Sequence, residues 1–573
     1  MITMKPIEQL ISVAQGHVPA DVVLKNAQVF NVFTGKFDRG DVAVVGGYIA
    51  GIGQYEGQIE IDMTGKFITP GFIDGHVHME SSMVSPREFA KVVVAMGTTT
   101  LIVDPHEIAN VVGEKGIEYV LDVAEELPVH IFIMLPSCVP ATNLETSGAN
   151  LTVQELTRFI NHSRVLGLGE LMDFPGVLSR DKDILAKIRL AEGKLIDGHG
   201  PGLLGKRLTA YIAAGIGSDH ECVTPEEAIE RVRQGMHIML REGSAAKNLL
   251  NLLPMVNGYT ARRCMFATDD RHPADLINQG HINHMVRMSI DAGIELATVL
   301  QMATINPATY FNLKDIGAIA PGYYADLLVF DDLISWVPTQ VYKQGQIVAT
   351  KGKSVFNVLK TNDKKIRNTM HLGNISSGQL KIKASSRVAR VIGLVPHQLI
   401  TASLEIEVPV INGEFVSDRD NDILKLAVFE RHHGTGNVGV GLVKGLGMSV
   451  GAIASTVAHD SHNVVVIGSD DDDMIRAVQE VEKMQGGIAI VNEGKVLGTL
   501  ALPLAGLMSE EDIYAVHTKL TDLHNIVRGL GVNPNYDPFM TLAFMSLPVI
   551  PSLKLTDKGL VDVNKFAVVP VSV

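Results

Sequence analysis

Residues 71–78 read Gly71-Phe72-Ile73-Asp74-Gly75-His76-Val77-His78, a short apolar run that closes on two histidines at i and i+2. Alternate side chains of an extended chain point the same way, so both imidazoles can reach one metal ion. A lone His-x-His is a weak signal, because histidine fills many structural roles. Working outward, the same kind of run recurs as TTLIVDPH (99–106), VHIFIML (129–135), VLGLGE (165–170), KLIDGH (194–199), AGIGSDH (214–220), MHIMLRE (236–242) and CMFATDD (264–270). Most are followed by amphipathic helical stretches, such as SPREFAKVVVAMG and TPEEAIERVRQG. Eight such units in about 240 residues match a (β/α)8 barrel, which typically takes about 250. A doubly wound sheet is the weaker alternative. In a barrel the C-terminal strand ends share one mouth, where catalytic groups collect.

The other run ends carry the same chemistry: Asp104-Pro105-His106-Glu107, Gly169-Glu170, Gly198-His199, Asp219-His220-Glu221 and Asp269-Asp270. Any single carboxylate there is also read as a helix cap, which for Asp104 or Asp270 alone is an even alternative. Capping does not account for the joint pattern. Four histidines and two carboxylates on five separate strands can hold two divalent ions with a hydroxide between them.

The chain of 573 residues is long enough for three or four domains, and 46% apolar with 20% charged residues is ordinary globular usage. Forty-nine Lys+Arg against 63 Asp+Glu leave a net charge of -14, which argues against nucleic acid as a partner. Cys138, Cys222 and Cys264 are too few and too scattered for a disulfide framework or a cysteine-rich zinc knuckle, so a reducing, cytoplasmic setting is expected. No run reads as a signal peptide or a membrane span.

The expected architecture is α/β: a metal-dependent (β/α)8 TIM-like barrel with a flanking β-sandwich domain and an additional C-terminal α+β domain. Residues 1–69 read as the first part of a small β domain, 70–310 as the catalytic barrel and 311–358 as strands that complete the small domain. Residues 359–374, polar and basic, read as a linker, and 375–573 as the α+β domain.

The motifs PGFIDGHVHMESS, VDPHEIANV, GLGELM, DGHGPGL, SDHECVTPEEA and ATDDRHP, with the C-terminal AHDSHNVVVIG, resemble the bacterial adenine deaminases of the amidohydrolase superfamily over nearly the whole chain. That resemblance implies His76, His78, His199, His220 and Asp269 as metal ligands and Glu170 as the group bridging two ions. Many superfamily members bridge with a carboxylated lysine, but the fourth run end has no lysine. The implied cofactor is a pair of divalent ions, manganese first, with iron or zinc as alternatives. The implied reaction is hydrolytic deamination of adenine to hypoxanthine and ammonia by hydroxide attack at C6. Asp269 is the first choice as proton shuttle, with Asp270 as the alternative if the register is one residue out. Glu107 and Glu221 are candidates for protonating the ring. A homo-oligomer is expected. The rival readings are a binuclear amidohydrolase acting on a cyclic amide or small peptide bond, and a non-catalytic scaffold, which would be expected to have lost ligands.

Several motifs weigh less. Gly200–Arg207 fits part of a phosphate-binding loop, but Arg207 stands where a Ser or Thr would hold magnesium, so a turn after His199 is expected. His78-Met79-Glu80 matches the H-x-E of cytidine-type deaminases without the required cysteine pair. Cys138 reads as a small buried hydrophobe. His459-Asp460-Ser461-His462 reads as a second metal site, part of the active-site rim, or a hydrogen-bonded turn. Asp470–Asp473 reads as a solvated acidic helix start.

Overall fold

The computed structural model describes residues 5–357, 362–396 and 398–573. All of the eight predicted apolar runs form strands: β1 (Phe72–His78), β2 (Thr98–Val103), β3 (His130–Leu135), β4 (Val165–Leu171), β5 (Leu195–Gly198), β6 (Ser218–Asp219), β7 (His237–Arg241) and β8 (Cys264–Ala267). They pair in parallel, β1 through β5 in one arc and β6 through β8 in another, and the bridge Asp269–Asp270 returns the chain to β1 opposite Val77 and His78. β1 and β2 are buried at every position, as expected of strands covered on both faces. The helices between them begin where the sequence places caps. Ser85 accepts from the Glu88 amide ahead of Pro86–Ala95, and Thr224 from the Glu227 amide ahead of Pro225–Arg233.

Asp74, fully buried in β1, ties that strand to the segment that follows β8. Its Oδ1 accepts from the Thr268 amide at 3.1 Å and the His76 amide at 3.2 Å, and its Oδ2 accepts from the Thr268 hydroxyl at 2.5 Å. This fixes His76, His78 and Asp269 relative to one another, a role for Asp74 that the sequence did not suggest.

Strands from both sides of these eight build the flanking unit. The expected sandwich takes the form of a single hydrogen-bonded ladder of nine strands, in which Phe67–Pro70 pairs antiparallel with Leu327–Phe330. Buried residues such as Leu24, Val42 and Leu327 line one cluster on it, and Leu10, Val23 and Ala43 line another.

Residues 359–361 of the expected linker lie outside the described residues. The described remainder is docked: Ile366 is buried, Lys365 reaches Glu118 and Asp122, and Arg367 pairs with Asp363 and Glu510. Beyond it stands an eight-stranded sheet, antiparallel except where Val388–Leu394 meets Val438–Lys444. The helix Asp471–Lys483 starts as expected, with Asp470 accepting from the Asp472 and Asp473 amides. The acidic start is not wholly solvated, because Asp473 is buried and accepts from the Glu493 and Gly494 amides.

Candidate active site

The strand ends gather the expected ligands into one buried cluster. Glu170, at the end of β4, is central: Oε1 lies 3.3 Å from His78 Nε2 and 3.7 Å from His76 Nε2, while Oε2 lies 3.2 Å from His220 Nε2 and 2.7 Å from His199 Nδ1. Asp269 Oδ1 stands 3.2 Å from His78 Nε2 and 3.9 Å from His76 Nε2. The placement of Glu170 depends on Gly169. Asp104 Oδ2 accepts from the Glu170 amide at 3.0 Å, and a Cβ at 169 would sit 2.0 Å from that same oxygen.

Two ligands of one ion, each about 2.1 Å from it at a tetrahedral angle, are about 3.4 Å apart. Most separations around Glu170 and Asp269 fall near that value. His76 Nε2 and His106 Nδ1 are buried without hydrogen-bond partners, as ligand atoms awaiting an ion would be. His78 Nδ1 donates to the Asp104 carbonyl at 2.9 Å, which turns its Nε2 toward the cluster. The residues present fit a metal site.

The electrostatics favour ligand protonation states for several members. Burial, helped by His220 and His78, holds His76 well below its usual value and so neutral. Burial alone would raise the Glu170 carboxyl, but hydrogen bonds from His199, His220 and His78 hold it well below the usual range. Asp269 is likewise ionised against burial, chiefly by the charge of Arg241.

Two residues were not assigned roles from sequence. His106 closes one flank, with Nδ1 3.4 Å from Glu170 Oε1; its signal was the run end Asp104-Pro105-His106-Glu107. Arg241, at the end of β7, donates to Asp269 Oδ2 at 2.6 Å and to Glu221. A charged residue closing a barrel strand was its only signal.

The ring-proton candidates stand in different settings. Glu221 Oε1 lies 3.4 Å from His220 Nε2 and 3.7 Å from His199 Nδ1, on the more open side, where the His199 side chain is 23% exposed. Glu107 lies on the closed side, clamped by His459 Nδ1 at 2.5 Å and by His462 Nε2. These three form a buried clamp at the rim, and their ligand atoms also lie close enough together to hold a metal ion. Asp270 accepts from the Ser81 hydroxyl, while Arg271 donates to the Gly280 and Glu242 carbonyls. Gly202 and Gly205 take left-handed turns after His199, and Cys138 is buried with its thiol pushed up by burial.

With this geometry in place, comparison with known proteins is decisive. The Amidohydrolase family model matches residues 67–375, and the Adenine deaminase C-terminal domain matches 398–567. Adenine deaminase 2 of Carboxydothermus hydrogenoformans is 63% identical over 99% of this chain and 100% of its own length. The chain belongs to the adenine deaminases of the amidohydrolase family. A second adenine deaminase, from Desulfatibacillum aliphaticivorans, is 50% identical over 98% of both chains. Among solved structures, the L-hydantoinase of Arthrobacter aurescens covers 59% of this chain and 98% of its own, at 16% identity and a TM-score of 0.46. As in those full-length adenine deaminase relatives, the C-terminal unit is part of the chain, and here it supplies the imidazoles that hold Glu107.

Proposed function

We propose that the protein hydrolyses adenine to hypoxanthine and ammonia. The observation that carries this reading is the Glu170-centred cluster in a chain whose near-full-length relatives bear the adenine deaminase name. His76, His78 and Asp269 would hold one divalent ion and His199 and His220 the other, with Glu170 between them. Manganese is the first choice, with iron or zinc as alternatives. When bound, such a pair lowers the pKa of a water enough to supply hydroxide near neutral pH.

Asp269 is the proton shuttle in this reading. Its carboxylate accepts the proton released as water adds to C6 and returns it to the departing amine, while Arg241 orients it through Oδ2. Glu221 is better placed than Glu107 to serve the ring nitrogen, because both Glu107 oxygens are held by histidines. Glu107 then positions the flank that carries His106.

The reading also takes the two strand arcs as one closed (β/α)8 barrel, supported by the Gly217 amide, which donates to the Ile196 carbonyl at 2.9 Å across the gap between β5 and β6. Residues 1–69 with 311–358, 70–310 and 375–573 are its three domains. Buried free cysteines accord with a cytoplasmic setting, no helix among the described residues is long and apolar enough to cross a membrane, and a homo-oligomer remains part of the proposal.

The test is ammonia release from a panel of free bases, nucleosides and cyclic amides by protein of measured metal content. Adenine is expected to lead the panel. Ring opening of a cyclic amide without ammonia release from adenine would overturn the assignment.

A further inference from the structure

The turn His459-Asp460-Ser461-His462 brings a third side chain to the closed side of the site. Asp460 is 4% exposed, and its Oδ2 is buried without a hydrogen-bond partner. It directly follows His459, whose Nδ1 lies 2.5 Å from Glu107, so it stands beside the helix start that carries His106. A buried carboxylate oxygen with nothing to accept from is rare in a folded protein; the neighbouring Glu145, pushed well above the usual range by burial and by Asp460, is a second buried carboxyl whose oxygens lack partners.

The proposed substrate has a suitable donor. Free adenine carries an imidazole N–H, on N9 or N7, and attachment of a sugar at N9 removes it. A carboxylate accepts hydrogen bonds and cannot donate when ionised, so it matches that edge. We propose that Asp460 accepts the imidazole N–H of the bound purine and thereby selects the free base over N9-substituted purines. This rests on adenine being the substrate.

The surroundings of Asp460 also oppose a larger ligand. The His459 ring stacks on Phe544 with centroids 4.6 Å apart, and the Ser461 carbonyl lies 2.7 Å from His432 Nε2. With both neighbours pinned, the turn cannot recede to admit a ribose. A site built to hydrogen-bond one substrate group rejects analogues that lack it far more strongly than a merely apolar pocket does.

The experiment uses metal-loaded full-length protein. Calorimetry measures binding of hypoxanthine, which keeps the N–H and does not react, to wild type and to Asp460→Ala; steady-state kinetics compare adenine with 9-methyladenine. Asp460→Ala is expected to weaken hypoxanthine at least tenfold and to raise KM for adenine in proportion, with metal content unchanged. Wild type should disfavour 9-methyladenine at least tenfold, and the variant should narrow that ratio. Hypoxanthine binding by Asp460→Ala within twofold of wild type overturns the proposal. So does equal use of adenine and 9-methyladenine by wild type, a result that needs no variant to fold. No ammonia from adenine with metal-loaded wild type is a separate failure, that of the substrate reading, and removes this proposal with it.

Discussion

Glu107 and His459, 352 residues apart in the chain, meet at 2.5 Å between Oε1 and Nδ1, and His462 takes the other carboxylate oxygen. Glu107 directly follows His106, so a turn of the C-terminal unit fixes the start of the helix that carries a residue of the ligand cluster. The contact is buried and charge-assisted: burial would lower His459, but the Glu107 carboxylate raises it to about 9. The C-terminal unit therefore belongs to the site and is not an appendage to it.

Removing either imidazole should expose that dependence. A hydrogen bond to a charged group contributes about 1.5–3 kcal/mol, and Glu107 would keep one oxygen unpaired. His459→Ala and His462→Ala are each expected to lower both Tm and kcat, and the double variant to cost less than the sum, since the two share one partner. Thermal unfolding and steady-state kinetics check this. Wild-type values in both single variants would show that the clamp holds nothing.

Glu170 is expected to govern metal and activity together. Wild-type protein should carry about two divalent ions per chain. Glu170→Gln should lower metal content by elemental analysis and turnover in parallel, and chelation of wild type should abolish ammonia release until metal is restored. A Gln variant that keeps both metal and rate would move the bridge to another residue.

The cluster was legible because chemistry-bearing residues at strand ends are a local pattern: His76, His78, Glu170, His199, His220 and Asp269 each stand at the end of a short apolar run. What the sequence hid is non-local. Nothing near Arg241 shows that its guanidinium reaches Asp269, 28 residues on, and nothing near His462 points to Glu107, because these pairings follow from strand order and domain docking. Asp74 was passed over for a related reason. A carboxylate inside an apolar strand reads as an oddity until Thr268, 194 residues away, is seen to donate to it.

Where the flanking unit meets the start of β3, Asp326 supports a prediction about stability alone. It is buried, accepts from Lys343 Nζ at 2.7 Å and from the Gln344 amide, and lies 3.0 Å from His130 Nε2 at the start of β3. Burial would raise its carboxyl, yet Lys343 and His130 hold it far below the usual range. A carboxyl depressed on folding contributes stability above its unfolded value of about 4, and that contribution is lost as pH falls through the native value. Asp326→Asn leaves Lys343 buried without its counter-charge and should cost about 3–5 kcal/mol near neutral pH. Denaturant unfolding should show this loss shrinking below about pH 4. A variant as stable as wild type at pH 7 would mean that solvent reaches the pair.

Asp269 and Asp270 separate the proton-transfer assignment from simple ligation. Asp269 adopts a left-handed backbone, φ +56°, which sends its carboxylate toward His78 while Asp270 turns to Ser81. Asp269→Asn keeps an oxygen that can face an ion but removes the base. A loss of roughly 10²-fold or more in kcat is therefore expected, with KM little changed. Arg241→Met should act in the same direction more weakly, since it frees Asp269 Oδ2 without removing Oδ1. Asp270→Asn should cost far less, because its carboxylate is engaged by the Ser81 hydroxyl. Kinetics of the three variants at matched metal content check the ordering. If Asp270→Asn abolishes turnover while Asp269→Asn keeps it, the shuttle belongs to Asp270, and the contact between Asp269 and Arg241 is only structural.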